Sequence, residues 1–245
     1  MQVIFGINPL LEDLKSQTGR VSKIIVAQGR GGEAFQKVLN LAKQKGIQVE
    51  FRERSYLDKK AGQGSHQGIV GFCEPFVYAS VDDVIANRHP DFKYNLILVL
   101  DGIADPQNLG TLIRTAHCCG ANGVIIPANR SASVTGTVIK ASAGAANHTS
   151  IARVVNLSNT IDYLKDRGFW IYGTDPVSGK DFGSFDYDGN IGLVLGSEGT
   201  GMRPLVRKKC DFLLSIPTIG KIDSLTVSVA AGIILYEILR TFGKV

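Results

Sequence analysis

The segment Asn95-Leu-Ile-Leu-Val-Leu-Asp-Gly-Ile-Ala-Asp-Pro-Gln-Asn-Leu-Gly-Thr-Leu-Ile-Arg114 decides how this chain is read. The apolar run Leu96–Leu100 predicts a strand buried on both faces, because a half-exposed strand alternates apolar with polar residues. The loop Asp101–Gly110 after it carries Asp101, Asp105, Pro106, Asn108 and two glycines, and it enters a predicted helix over Leu109–Cys119 that presents Arg114. Toward the C-terminus, strands are predicted at Val124–Ile126, Ile151–Val155, Phe169–Tyr172, Ile191–Leu195 and Phe212–Ile216. Helices are predicted between and after them, at Val134–Ser142, Thr160–Arg167 and Ser224–Arg240. Near-continuous apolar strands separated by helices specify an α/β fold with a parallel sheet covered on both faces.

Toward the N-terminus the pattern describes a smaller α/β unit. Asn8-Pro9 ahead of Leu10, Leu11 and Leu14 reads as the capped start of a short helix. A strand at Val21–Ala27, a loop at Gly29–Gly32, a helix at Glu33–Lys45 and strands at Ile47–Phe51 and Gln67–Cys73 follow. The stretch from Glu74 to Tyr94 is less regular and allows one helix after Ser80. The expected organisation is therefore a first domain over 1–74, a linker over 75–94 and a second domain over 95–245.

Of the 245 residues, 44% are apolar and 20% charged, which excludes a disordered or fibrous chain. No apolar run approaches the roughly 18 residues of a membrane span. Met1–Gly6 lacks a secretory signal pattern, so a cytoplasmic protein is expected. The net charge of +5 suits a polyanionic partner, nucleic acid first. Cys73, Cys118, Cys119 and Cys210 show neither Cys-x-x-Cys spacing nor a nearby zinc-spaced His, so reduced, mostly buried thiols and no metal are expected.

Ligands of wound parallel sheets bind beyond the carboxyl ends of strands. The loops after Leu100, Leu195 and Ile216 are therefore the candidates. The first reads either as a capped turn or as a site in which Asn108 and Arg114 handle a phosphate or sugar hydroxyl. The second, Gly196-Ser-Glu-Gly-Thr-Gly201, matches neither the dinucleotide fingerprint nor the phosphate loop. Its Glu198 is a solvated turn acid or the partner of a cation or an arginine. The third, Ile216-Pro-Thr-Ile-Gly-Lys-Ile-Asp-Ser224, leads into a helix apolar around most of its circumference, which core packing explains, whereas the polar loop before it is left unexplained.

In this order, Asn108-x-Gly110-x-x-x-Arg114, Gly196-x-Glu198 and Ile216-Pro followed by Ser224-Leu-x-Val-Ser resemble the motifs of the SpoU/TrmH branch of SPOUT methyltransferases, over essentially all of residues 95–245. The first domain, ending in His66-Gln67-Gly68-Ile69-Val70, is similar in length to the small L30e-like RNA-binding domain of many members. The two-domain layout is most like members that methylate a guanosine 2′-hydroxyl in bacterial 23S ribosomal RNA. The resemblance implies a deep trefoil knot in the C-terminal stretch, S-adenosylmethionine as methyl donor, a homodimer completing the site, and no metal. It also implies roles. Asn108, Arg114, Glu198, Ser224 and Thr226 are the expected catalytic positions, and Thr174, Gly196, Ser197, Gly199, Ile216, Pro217 and Leu225 the expected cofactor positions. Arg114 would activate the hydroxyl, with Asn108 and Glu198 holding it and the loops in place. Because a guanidinium does not normally deprotonate, stabilising a developing alkoxide is its easier role. Thr226 departs from the family pattern, which has Asn there. Expected RNA contacts are Arg20, Arg30, His66 and Arg130.

Three alternatives remain open at this point. The same motifs serve enzymes that act on transfer RNA. A non-catalytic RNA-binding ribosome-assembly protein is suggested by Thr226 and the basic first domain. A nucleotide-dependent hydrolase fits least, because the chain has no phosphate loop.

Overall fold

The computed structural model describes residues 2–16, 19–29, 31–61, 66–220 and 225–245. The chain forms two compact units, one of residues 1–77 and 133–148, the other of residues 78–132 and 149–245. This division differs from the one expected from sequence in two ways: it assigns residues 133–148 to the first unit, and it leaves no separate linker over 75–94, because residues 78–94 belong to the second unit, where Val84 is buried in the core. The cause of the first is local: helix α6 (Gly136–Ala141) packs on strand β1 (Gln2–Phe5), and a Cβ on Gly136 would stand 1.8 Å from the Val3 carbonyl oxygen.

The first unit holds a four-stranded sheet in the order β1-β4-β2-β3, with β2 Val21–Ala27, β3 Gln48–Arg52 and β4 Ile69–Cys73. β2 and β3 run parallel, while β4 is antiparallel to both β1 and β2. Helices α1 (Ile7–Lys15), α2 (Glu33–Gln44) and α3 (Arg54–Ala61) complete the unit with α6. The helix start read at Asn8-Pro9 lies two residues earlier, with Gly6 as the N-cap. Buried Asp13 replaces a conventional cap for the β2 end of the unit, since its Oδ2 accepts from the backbone N–H of Arg20 and Val21, each at 3.0 Å.

The second unit holds seven parallel strands in the order β7-β6-β5-β10-β8-β11-β9. These are β5 Leu96–Asp101, β6 Gly123–Pro127, β7 Ser150–Val154, β8 Phe169–Thr174, β9 Lys180–Asp181, β10 Asn190–Gly196 and β11 Phe212–Ser215. Every residue of β5 is buried, as its unbroken apolar run predicts. Ile97 and Val99 join Ile125 and Val194 in a core sealed by Val84 of α4 (Val81–Ala86) and by Leu157, Ile161 and Leu164 of α7 (Leu157–Lys165). Helices α5 (Pro106–Cys118) and α9 (Val227–Thr241) pack on each other and on β6 and β10 respectively. A further short helix, α8 (Pro204–Lys209), lies against α7.

The C-terminal strands interleave. After β8 and β9 are laid down, the chain returns to insert β10 between β5 and β8, and then β11 between β8 and β9. The knot expected from the resemblance involves this stretch, of which residues 221–224 lie outside the described residues.

Candidate active site

Three neighbouring strands of the second unit, β10, β8 and β11, end side by side, and the loops that leave their carboxyl ends surround a cavity of about 280 Å³. Its walls are apolar where Leu195, Leu214, Ile216, Leu225, Val227 and Ile234 contribute, and polar where Thr174, Ser215 and Thr218 contribute hydroxyls. The two charged side chains in the lining are both carboxylates, Asp175 and Glu198, and no Lys or Arg lines the cavity among the described residues.

Each wall is fixed by a specific bond. The turn after β10 closes on itself: Ser197 and Gly201 exchange backbone hydrogen bonds at 3.1 and 2.9 Å, and the Ser197 and Thr200 hydroxyls meet at 2.6 Å. Gly196 enters this turn where a Cβ would stand 2.2 Å from Gly201 C and Met202 N, so no other residue fits. Gly199, at φ 86°, takes the left-handed conformation that costs a side-chain-bearing residue most. The base of the turn is pinned to β5. Asp101, buried, accepts from Arg203 N at 2.8 Å through Oδ2 and from Arg203 Nε at 2.7 Å through Oδ1.

Asp175 organises the loop after β8. Its Oδ1 accepts from Val177 N and Ser178 N, each at 3.0 Å, and its Oδ2 from Arg207 Nε at 2.6 Å. Burial alone would raise its pKa. Hydrogen bonds from Ser178, Arg207 and Val177 outweigh that and hold the carboxyl below the usual value. Glu198 ties one loop to the start of a helix. Its Oε1 accepts from Val227 N at 3.1 Å, the first backbone donor of α9, whose N-cap Thr226 makes no side-chain capping bond. Glu198 therefore supplies the cap from another loop, and the carboxylate also complements the positive end of the helix.

Of the expected cofactor positions, Thr174, Gly196, Ser197, Gly199, Ile216 and Leu225 line this cavity, whereas Pro217 is exposed and absent from the lining among the described residues. Of the expected catalytic positions, Glu198 lines the cavity and Thr226 stands at the exposed start of α9. Ser224 lies outside the described residues. Asn108 sits in the first turn of α5, where its N–H donates to the cap Asp105 at 3.0 Å. Arg114 lies on the same helix, exposed and outside the lining, and no hydrogen bond joins it to Asn108 or Glu198 among the described residues. Within one chain, Asn108 stands in the first turn of α5 and Glu198 caps α9, each beside a helix start. Asp175, Leu195, Gly201, Ser215, Thr218 and Val227 were missed. The rule that sites lie beyond strand ends reaches Asp175 once β8 is extended from Tyr172 to Thr174, and the others lie on or beside the loops after β10 and β11.

The expected RNA contacts are divided. His66 is corrected outright: it is buried, its Nδ1 accepts from Gly68 N at 3.1 Å, and its Nε2 therefore carries the proton that bonds Asp58 Oδ1 at 2.7 Å. One ring nitrogen is used within the turn that leads into β4 and the other by Asp58 of α3. Arg20 is also structural, donating to the Glu74 carbonyl and to Asn147 Oδ1, both at 3.2 Å, with its guanidinium over the Phe76 ring. Arg30 lies outside the described residues. Arg130 is exposed on the loop after β6, at a φ of 57°, and neighbouring Ser131 and Ala132 tie that loop to the Ile103 carbonyl of the loop after β5. Among the described residues no group of three His, Cys, Asp or Glu side chains is placed to hold a metal. No helix of the described residues is long and apolar enough to cross a membrane.

Comparison with known proteins adds to this geometry. Residues 95–236 match the SpoU rRNA Methylase family, and residues 3–79 match the family described as RNA 2′-O ribose methyltransferase substrate binding. YacO of Bacillus subtilis, named as a TrmH family tRNA/rRNA methyltransferase, is 41% identical over 237 residues, covering 97% of this chain and 94% of its own. The solved AdoMet-bound rRNA methyltransferase of Sinorhizobium meliloti superposes with a TM-score of 0.77 at 24% identity, covering 98% of this chain and 87% of that one, a likeness of fold. A TrmH/SpoU tRNA modifying enzyme of A. aeolicus, 28% identical, gives a TM-score of 0.56 and covers 66% of this chain and 80% of that one.

Proposed function

Since the chain belongs to the SpoU rRNA methylase family of RNA 2′-O-ribose methyltransferases, we infer that it methylates the ribose of a guanosine in large-subunit ribosomal RNA with S-adenosylmethionine as donor. The observation that carries this reading is the cavity beyond β8, β10 and β11. It offers apolar walls to an adenosyl group, strand-end backbone to its polar edge, and two carboxylates with no facing Lys or Arg among the described residues. That donor set favours a ligand with a sulfonium and an ammonium over a nucleoside triphosphate. Thr174, Gly196, Ser197, Gly199, Ile216 and Leu225 would hold it, and Glu198 would keep Leu225 and Val227 in place by capping α9. When bound, S-adenosylmethionine supplies a methyl group activated by its positive sulfur.

The remaining work falls to the chain. A ribose hydroxyl must be brought into line and must lose a proton, and positioning of this kind is worth roughly 7–11 kcal/mol against about 10²–10⁴-fold for a general base. Arg114 is assigned to stabilising the developing alkoxide and to anchoring the adjoining phosphate, with Thr226 and Ser224 as polar neighbours of the reacting sugar. Its position outside the cavity lining supports a site completed by a second copy of the chain. Val229 and Tyr236, 48% and 58% exposed on α9, give that dimer an apolar face. The ribosomal substrate is supported by the two-unit layout, since the A. aeolicus enzyme that acts on transfer RNA spans only part of this chain.

Two measurements test the reading. S-adenosylhomocysteine is expected to raise the melting temperature while adenosine triphosphate leaves it unchanged. Mapping of 2′-O-methyl marks in cells lacking the protein is expected to show one missing guanosine mark in large-subunit RNA. A missing mark confined to transfer RNA overturns the substrate assignment.

A further inference from the structure

The first unit has a concavity of its own that none of the roles above uses. It lies where the parallel strands β2 and β3 end, their exits joined by the hydrogen bond from Gln28 N to the Arg52 carbonyl at 2.9 Å. Gln28, Phe51, Arg52, Glu53, Tyr56 and Lys59 line about 400 Å³ of open space there, within the roughly 300–1,000 Å³ usual for ligand sites. Phe51 is 56% exposed at the end of edge strand β3, and Tyr56 is 39% exposed on α3. Neither ring is needed to fill the core beneath, which Leu57 and Phe72 supply with Ile25 and Val70.

The charges around the rings are arranged by position. Lys60 Nζ stands 5.7 Å from the Tyr56 ring centre, Arg54 and Lys59 are exposed nearby in sequence, and exposed Arg52 donates through one guanidinium nitrogen to Glu50 Oε2 at 3.1 Å. The one acid in the lining, Glu53, accepts from Ser55 Oγ at 3.4 Å. A carboxylate inside the concavity disfavours a bare phosphate there but accepts from the N–H groups of a base edge. Cations at the rim favour the phosphates on either side. Exposed aromatic faces bordered by Lys and Arg are what binds unpaired nucleotides, whereas the bases of an A-form duplex are out of reach of such rings.

We propose that Phe51 and Tyr56, with Gln28 and Glu53 at the base edge and Arg52, Lys59 and Lys60 at the phosphates, form a stacking site for one unpaired base of the RNA substrate. The site rests on the RNA-methyltransferase reading above and deepens it: the first unit selects single-stranded or looped RNA.

The test uses the full chain and two fluorescein-labelled ribonucleotide probes, a single-stranded 15-mer and a blunt duplex of the same sequence. Phe51→Ala and Tyr56→Ala are each expected to weaken single-strand binding by roughly 5- to 100-fold while leaving duplex binding unchanged. Tyr56→Phe keeps the ring and is expected to retain parental affinity. A 2-aminopurine base in the single-stranded probe is expected to be quenched on binding the parent and not on binding Phe51→Ala. Methyl transfer by Phe51→Ala is expected to show a raised KM for RNA at unchanged kcat. Both alanine variants binding the single strand as tightly as the parent would overturn the stacking site while leaving the RNA reading intact. A parent that binds neither probe and transfers no methyl group would overturn both. Guanosine monophosphate competing at the same concentration as the 15-mer would reassign the concavity to a free nucleotide.

Discussion

Both compact units gather a concavity at the carboxyl ends of parallel strands, β2 and β3 in one and β8, β10 and β11 in the other, yet their linings differ in chemistry. The larger sheet surrounds its space with aliphatic side chains, hydroxyls and two carboxylates. The smaller one offers exposed rings, Arg52 and Lys59. The shared topology explains where each cavity lies, because strand exits leave backbone groups and loops free to line a space. It says nothing about the ligand. That is set by which side chains the loops carry, and by whether those side chains are already engaged. Asp175 and Glu198 spend their oxygens on neighbouring N–H groups and so act as fixed negative charges, while Phe51 and Tyr56 stand open to a partner.

The contrast can be broken from either side. Its largest expected effect is at Arg114, outside both cavities: Arg114→Ala should lower kcat by about 10²–10³-fold, as removal of an alkoxide-stabilising donor does, with S-adenosylhomocysteine affinity unchanged by calorimetry. Gly196→Ala comes next. The added methyl group cannot fit 2.2 Å from Gly201 C, so the turn must move, at a cost of about 1–3 kcal/mol in chemical unfolding and with loss of cofactor binding. RNA affinity of this variant should remain parental, since the first unit is untouched. Glu198→Ala removes the cap of α9 and should cost about 1 kcal/mol, with Glu198→Gln intermediate because an amide oxygen still accepts from Val227 N. The smallest effect concerns thiols. Burial, aided by the neighbouring Asp211 charge, pushes the Cys210 thiol up to about 12, whereas Cys118 is exposed. Native protein should therefore react with a thiol reagent at Cys118 and not at Cys210 near pH 8. Unfolded Cys210 ionises near pH 8.5, so its contribution to stability is complete below that pH and declines as pH rises toward 12.

The larger unit was the more legible in sequence, for a physical reason. Strand stretches buried on both faces, such as Leu96–Leu100 and Ile191–Leu195, carry no polar side chain, and that pattern has few other readings. Elements with one buried contact leave no such trace. α3 buries only Leu57, β9 is two exposed residues, and β1 is only four residues long, too short for its pattern to stand out. All three went unread. The cavity was legible in its loops but not in its bonds. No local pattern pairs Glu198 with Val227 or Asp101 with Arg203, because those contacts are made by the sheet order and not by spacing along the chain. His66 misled because a polar Gln-Gly pair follows it; the structure uses that pair for a turn, with φ 54° at Gln67 and 85° at Gly68, and turns the imidazole inward.

The central claim is that the cavity of the larger unit serves methyl transfer to a ribose oxygen. Its most direct test is to incubate the purified chain with methyl-tritiated S-adenosylmethionine and large-subunit RNA lacking modifications, then digest the RNA to nucleosides. The account predicts label in 2′-O-methylguanosine and none in any base-methylated nucleoside. Label on a base, or RNA that remains unlabelled while still bound by the protein, would contradict it.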